Sequence, residues 1–315
     1  MEQSIKITAE QVKAGRYIPG SLDFDGNIEI AEGLGKILFT SLKASGNILA
    51  TGDTSISCDE DIVAGGKIVA SWDIKAGGDI KAGSYIRAGT YIQAGFEIKA
   101  GSYIEAGFEI EAGESILAGR YILAGAEIEA GFEIEAGFEI EAGRYLEAGG
   151  EIEAGTGIQA GFGIKAGRYI RAGGSIEASD DLEAGWYLVA GKDIKAGDDI
   201  KAGGEILVGG SIEAGGRIRA GAYIQAGDDI QASGDIQASR YIKAGADIVA
   251  GSGIQAGESI TAGADISVGL SVFAGLVSYR KPSSSEMEIR CQRLTSGEVA
   301  YGILVVEEKE AETPR

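Results

Sequence analysis

The reactive groups of this chain are almost all carboxylates. From Glu105 to Glu153 glutamates recur in pairs two residues apart, as in Glu109/Glu111, Glu127/Glu129, Glu133/Glu135, Glu139/Glu141 and Glu151/Glu153. Paired carboxylates are the apparatus of glycoside hydrolysis, one as acid and the other as nucleophile or base. The rest of the sequence offers catalysis little. There is no histidine, which removes the usual general base, the commonest metal ligand and any Ser-His-Asp triad. Cys58 and Cys291 lie far apart and have no zinc-ligand spacing. The many glycines open no helix and so cradle no phosphate. The pairs also recur more often than one active site needs. They read as a solvated acidic face, and the expectation is no catalytic residue, no metal and no cofactor.

The spacing of those pairs belongs to a repeat. From Ile62 to Val272 every sixth residue is aliphatic, without insertion or deletion: 36 positions, of which 32 are Ile, three are Leu and the last is Val. Two residues on stands Ala, except at Val208 and Val268, and then Gly, except at Ser71, Ser179, Ser233 and Ser239. The unit is I-x-A-G-x-x. Side chains alternate along an extended chain, so in Tyr85-Ile86-Arg87-Ala88 the Ile and Ala face one way and the Tyr and Arg the other. A period of six does not match a helix, and glycine every second turn would cost it roughly 1 kcal/mol each. Glycine instead suits a corner, where φ above zero carries no steric cost.

Such short strands cannot stand alone, but coiling stacks each on its equivalent in the next turn and pairs every ladder. Tyr85, Tyr103 and Tyr121 are spaced by three hexads, as are Tyr169 and Tyr187 and, further on, Tyr223 and Tyr241. Three hexads per turn makes a triangular prism. The spacing of Tyr121, Tyr145 and Tyr169 is the competing signal of four. The fold expected is all-β: a single-stranded parallel β-helix, right-handed on the general preference of parallel crossovers. The repeat would contribute about 12 turns, spanning roughly 55–60 Å.

Four segments are expected. Residues 1–61 hold irregular first turns, in which "VKAGRYI" at Val12–Ile18 already matches the motif and Leu22, Ile28 and Leu34 keep the six-residue step. Two extra residues enter between Leu34 and Leu42, and two more between Ile48 and Ile56. Residues 62–277 are the regular solenoid. Residues 278–306 are a linker and a C-terminal β-hairpin cap, with Met287–Leu294 and Val299–Val306 as strands around Thr295–Glu298. Residues 307–315 are a disordered acidic tail. The C-terminal end is expected to be capped and the N-terminal end more open.

The formal net charge is −20, which repels nucleic-acid phosphates and anionic membranes. No apolar run approaches a membrane span, and the first residues lack the features of a signal peptide. Two cysteines do not make a disulfide framework, so the cytoplasm is the expected compartment.

The candidate interaction surface consists of outward side chains. Phe96, Phe108, Phe132, Phe138 and Phe162 occupy the exposed corner position, which Trp72 and Trp186 share. Tyr85, Tyr103 and Tyr121 form a ladder. Glu111, Glu129 and Glu147, one coil apart, form a column of like charge. A more basic stretch, Lys75, Lys81, Arg87 and Lys99, lies beside them.

Over roughly Ile62–Val272 the hydrophobic-x-small pattern resembles bacterial β-solenoids and, in architecture, the bactofilins, which are polymer-forming cytoskeletal proteins. The chain departs from them in its longer, stricter repeat and in a C-terminal segment that would block one polymer end. The hexapeptide acyltransferases resemble it in architecture but use a histidine base, which this chain lacks. The absent histidine, the unbroken repeat and the exposed corner aromatics point to a non-enzymatic scaffold that self-associates or presents its faces to a protein partner, and the net charge argues against direct nucleic-acid binding. Two other functions stay open. Some acidic pentapeptide-repeat solenoids occupy DNA-binding grooves, and tyrosine ladders beside carboxylates could bind carbohydrate.

Overall fold

A strand three residues long can bury only two side chains, and each hexad does so. In Ile86–Ala88 both Ile86 and Ala88 are buried while Arg87 is exposed, and from Ile62 to Ala262 each hexad buries the same two positions around an exposed or half-buried residue. Burying each Ile is worth about 2 kcal/mol against water, and only stacking can bury it. In the computed structural model, which describes residues 3–18, 20–277 and 280–307, the chain forms two compact units, Met1–Gly161 and Phe162–Arg315. Each is a parallel β-solenoid. Among the described residues no helix is long and apolar enough to cross a membrane.

The period of a coil is 18 residues, hence three hexads and three faces. In the first unit the first face stacks Ile62, Ile80, Ile98, Ile116, Ile134 and Ile152 in register. The second stacks Ile68, Ile86, Ile104, Ile122, Ile140 and Ile158. The third stacks Ile74, Ile92, Ile110, Ile128 and Leu146. The second unit repeats the scheme, with Ile170, Leu188 and Ile206 on its first face, Ile176, Ile194 and Ile212 on its second, and Ile164, Leu182 and Ile200 on its third. Counting the irregular ends, the first face of each unit carries eight strands among the described residues.

The corner glycines have a different cause from the one expected. None in the regular repeat has φ in the left-handed region. They are required by close approach between coils: a Cβ on Gly119 would lie 2.2 Å from the carbonyl oxygen of Gly101, and one on Gly131 2.0 Å from that of Gly113. Positive φ occurs instead in the first coils, at Gly33, Gly35 and Gly52. There the turn lengthens to 20 residues, with Leu22 over Leu42 and Leu42 over Ile62. The extra residues sit between the second and third faces, next to strands Gly35–Phe39 and Thr54–Cys58. Leu34 is only half-buried at that edge, and Ile37 and Phe39 point inward in its place.

"VKAGRYI" is not a hexad of the coil. Val12–Lys13 pairs antiparallel with Arg16–Tyr17 through a tight turn in which Ala14 (φ 51°) and Gly15 (φ 75°) are both left-handed, the geometry hairpin turns favour. With the single turn Ala9–Gln11 this hairpin covers the N-terminal coil: Tyr17 is buried against Phe39, ring centroids 5.1 Å apart, and Ile7 is fully buried.

The C-terminal strands form a cap-like region, but not by hairpin pairing. Glu288–Cys291 runs parallel to the strand at Ile260, Arg293–Tyr301 runs parallel to Asp265–Phe273, and Ile303–Val306 runs parallel to Glu288–Cys291. The expected turn at Thr295–Glu298 is absorbed into Arg293–Tyr301 as register shifts, with Gly297 at φ 81°. Inward apolar residues continue the columns, so stacking wins over a local hairpin. The expected linker includes Ser278 and Tyr279, and the expected tail falls mainly on 308–315, all outside the described residues.

Candidate functional site

Outward side chains on a parallel stack meet their own kind every coil, and this governs the surface chemistry. On the third face of the first unit the outward column runs Gln93, Glu111, Glu129, Glu147. Gln93 donates to Glu111 at 2.7 Å, while Glu109 begins the strand that carries Glu111 and Glu127 directly precedes the strand that carries Glu129. Burial pushes the Glu109 carboxyl above its ordinary range, and the charges of Glu127, Glu111 and Glu129 add to it. Glu133, on the first face, is raised for the same reasons, burial first and then Glu135, Glu151 and Glu153. Two faces thus show the same shift from the same crowding.

The third face has aromatic borders. Trp72 and Phe108 lie on its edge with the second face, and Phe96 and Phe132 on its edge with the first; all four are 44–52 % exposed. Lys75 and Tyr91 also lie there, with the ammonium 5.3 Å from the ring centre, and Tyr91 meets Phe108 edge-on at 5.4 Å. The structure therefore groups Phe96, Phe108, Phe132, Glu111, Glu129 and Glu147 about one face. Phe162 belongs to the second unit, where it precedes the strand Ile164–Ala166.

Tyr85, Tyr103 and Tyr121 are elsewhere, on the second face. The rings of Tyr85 and Tyr103 stack at 4.4 Å with 11° between planes, and Phe138 meets Tyr121 edge-on at 5.3 Å. Stacked rings cover each other's faces and leave their edges to solvent. Tyr103 and Tyr121 line an open depression of about 320 Å³ together with Glu105, Leu123, Glu139 and Glu141. A comparable depression of about 150 Å³ in the second unit is lined by Tyr169, Tyr187, Val189 and Glu205.

One device was not anticipated. At many corners the backbone N–H of the residue before the Ile is bonded by a side chain one coil below. Asp181 accepts from Asp199 N–H (3.0 Å), Asp199 from Arg217 (2.7 Å), Asp229 from Asp247 (2.9 Å) and Asp247 from Asp265 (2.8 Å). Asn27, Asn47, Asp61 and Asp79 do the same in the first unit. The signal was present as runs of Asp and Asn at the sixth position of the hexad. Short side chains at corners bond neighbouring backbone readily.

Both cysteines are buried and unpaired, and burial raises both thiols, so neither is a ready nucleophile. Among the described residues no cluster of three or more His, Cys, Asp or Glu could hold a metal. No protein-family model, curated protein or solved structure matches the chain.

Proposed function

We propose that this chain is a non-enzymatic scaffold: a β-solenoid that self-associates or presents its faces to a protein partner. The observation that carries the reading is the third face of the first unit, an acidic strip bordered on both sides by half-exposed aromatic side chains. Exposed apolar groups beside concentrated charge mark interaction surfaces. The likeness to bactofilins, drawn from the short hydrophobic-x-small repeat, supports self-association in particular. Two unpaired, buried cysteines suit the cytoplasm.

The test is electron microscopy and sedimentation of the purified chain against a variant with Trp72, Phe96, Phe108 and Phe132 changed to Ser. The expected result is assembly, or binding to a basic protein partner, that weakens in the variant while its circular dichroism is unchanged. Strictly monomeric particles across salt and divalent cations would end the self-associating form.

A second reading, mimicry of nucleic acid, draws on the in-register column Glu111, Glu129, Glu147. It requires competition with DNA for a basic DNA-binding protein at low salt, and no competition removes it.

A further inference from the structure

The cap-like last coil of the second unit covers the coil beneath it but leaves its own apolar side chains open. Leu304 stacks on Ile289 and Val306 on Cys291, continuing columns that are fully or almost fully buried one coil earlier. Yet Leu304 is 40 % exposed and Val306 53 %, with Tyr301 and Ile303 exposed beside them. Ile303–Val306 is paired on one side only among the described residues, so its other edge presents unbonded backbone groups. Such an end joins other strands unless something covers it.

The occupant can be narrowed. The residues that follow in the sequence, from Glu308 to Arg315, offer only Ala311 and Pro314 as apolar side chains. They are poorly suited to bury Leu304 and Val306. The N-terminal end of the first unit is a poor match, because its hairpin and single helical turn already bury Tyr17 and Ile7; only Ile18 stands out from it. The surface that best matches the open end is a second copy of the same end. Its rim carries both signs: Arg290 pairs with Glu288 and Glu307, and Arg293 with Asp265, while Glu298 stands exposed nearby. A rim that carries both signs does not repel its own copy, as a rim of a single sign would.

We infer that the C-terminal coil is a homodimer interface, two copies meeting end to end with their Ile303–Val306 edges side by side. Such an isologous contact closes on itself and gives dimers, whereas joining unlike ends would give filaments. The inference rests on the self-associating form of the scaffold reading and specifies which surface joins and how far assembly proceeds.

The experiment is sedimentation velocity over a concentration series, for the unmodified chain, Leu304→Glu and, as a control, Leu207→Glu, which alters an exposed side chain on the strand Ile206–Val208, several coils from the end. A monomer–dimer equilibrium with no larger species is expected, lost in Leu304→Glu and retained in Leu207→Glu. Because Leu304→Glu could fray the last strand, hydrogen exchange of the unmodified chain is followed in parallel. The amides of Ile303–Val306 should exchange at least tenfold more slowly at dimer-forming than at monomer-forming concentrations. Association untouched by Leu304→Glu, growth into filaments, or exchange independent of concentration would each overturn the end-to-end dimer while leaving a self-associating scaffold in place. A monomer at every concentration would overturn both.

Discussion

The carbonyl oxygen of Gly83 sits so close to the Cα of Gly101, one coil on, that a Cβ there would come within 2.2 Å of it. The corner glycines are thus a condition on the distance between coils. Gly101→Ala is expected to destabilise the first unit by about 1–3 kcal/mol, the usual cost of overpacking. Gly101→Asn, which would ease a positive-φ corner, should be no better than Ala. Thermal melts of the two variants settle the cause, since rescue by Asn would restore the conformational explanation. Serine at Ser71, Ser179, Ser233 and Ser239 shows that one small side chain can be absorbed.

Ala130 is 2 % exposed in a column of alanines, while its neighbour Glu129 points outward between Glu111 and Glu147. Ala130→Phe should lower stability by about 3 kcal/mol or more, and limited proteolysis should cut near the substitution first, because coils contact only their neighbours. Glu129→Lys should be neutral or mildly stabilising, since it ends a like-charge contact. A Glu129→Lys protein less stable than Ala130→Phe would reverse the assignment of inward and outward positions.

The glutamate columns set a pH dependence. Glu109 and Glu133 have carboxyls raised above the ordinary range, so between the ordinary and the raised pKa the folded chain holds more protons than the unfolded one. Stability then falls as pH rises through that window. Melting temperature should increase on mild acidification from neutrality, and Glu133→Gln should raise it at pH 7 and flatten the slope. A melting temperature that drops between pH 7 and the upper edge of the carboxylate range contradicts this.

Asp229→Ala should leave the Asp247 N–H without its 2.9 Å acceptor. A loss of about 1 kcal/mol follows, with faster hydrogen exchange at the Asp247 amide. Asp229→Asn keeps a carbonyl oxygen in place and should preserve both.

The Ile and Ala columns and the three-hexad coil were legible because burial repeats with the sequence. Spacing of the tyrosines favoured three over four, against the competing interval of Tyr121, Tyr145 and Tyr169. The reason for the glycines was not legible, because the oxygen each one avoids lies 18 residues away. Nor was the fate of "VKAGRYI", which matches the hexad yet turns back on itself as Ala14 and Gly15 enter the left-handed region. The two strands near the C-terminus were recognisable, but their partners were not. A gap of four residues suggests a hairpin, while the edge of the last regular coil captures Glu288–Cys291 and Arg293–Tyr301 in parallel, and Ile303–Val306 then stacks on the first of these. The candidate surface was visible as residue types only. Assigning Phe96, Phe108 and Phe132 to the borders of one acidic face required the coil length.

A register of 18 also governs how such a gene can grow. Adding or removing one hexad would keep the alternation of Ile and Ala intact. It would also carry every later outward residue to the next face, so aromatic borders and charge columns would no longer line up across the change. Only whole coils can be gained or lost without rewriting the surface. Length and surface pattern are therefore inherited in separate steps, the first by duplication in blocks of 54 bases and the second by point substitution.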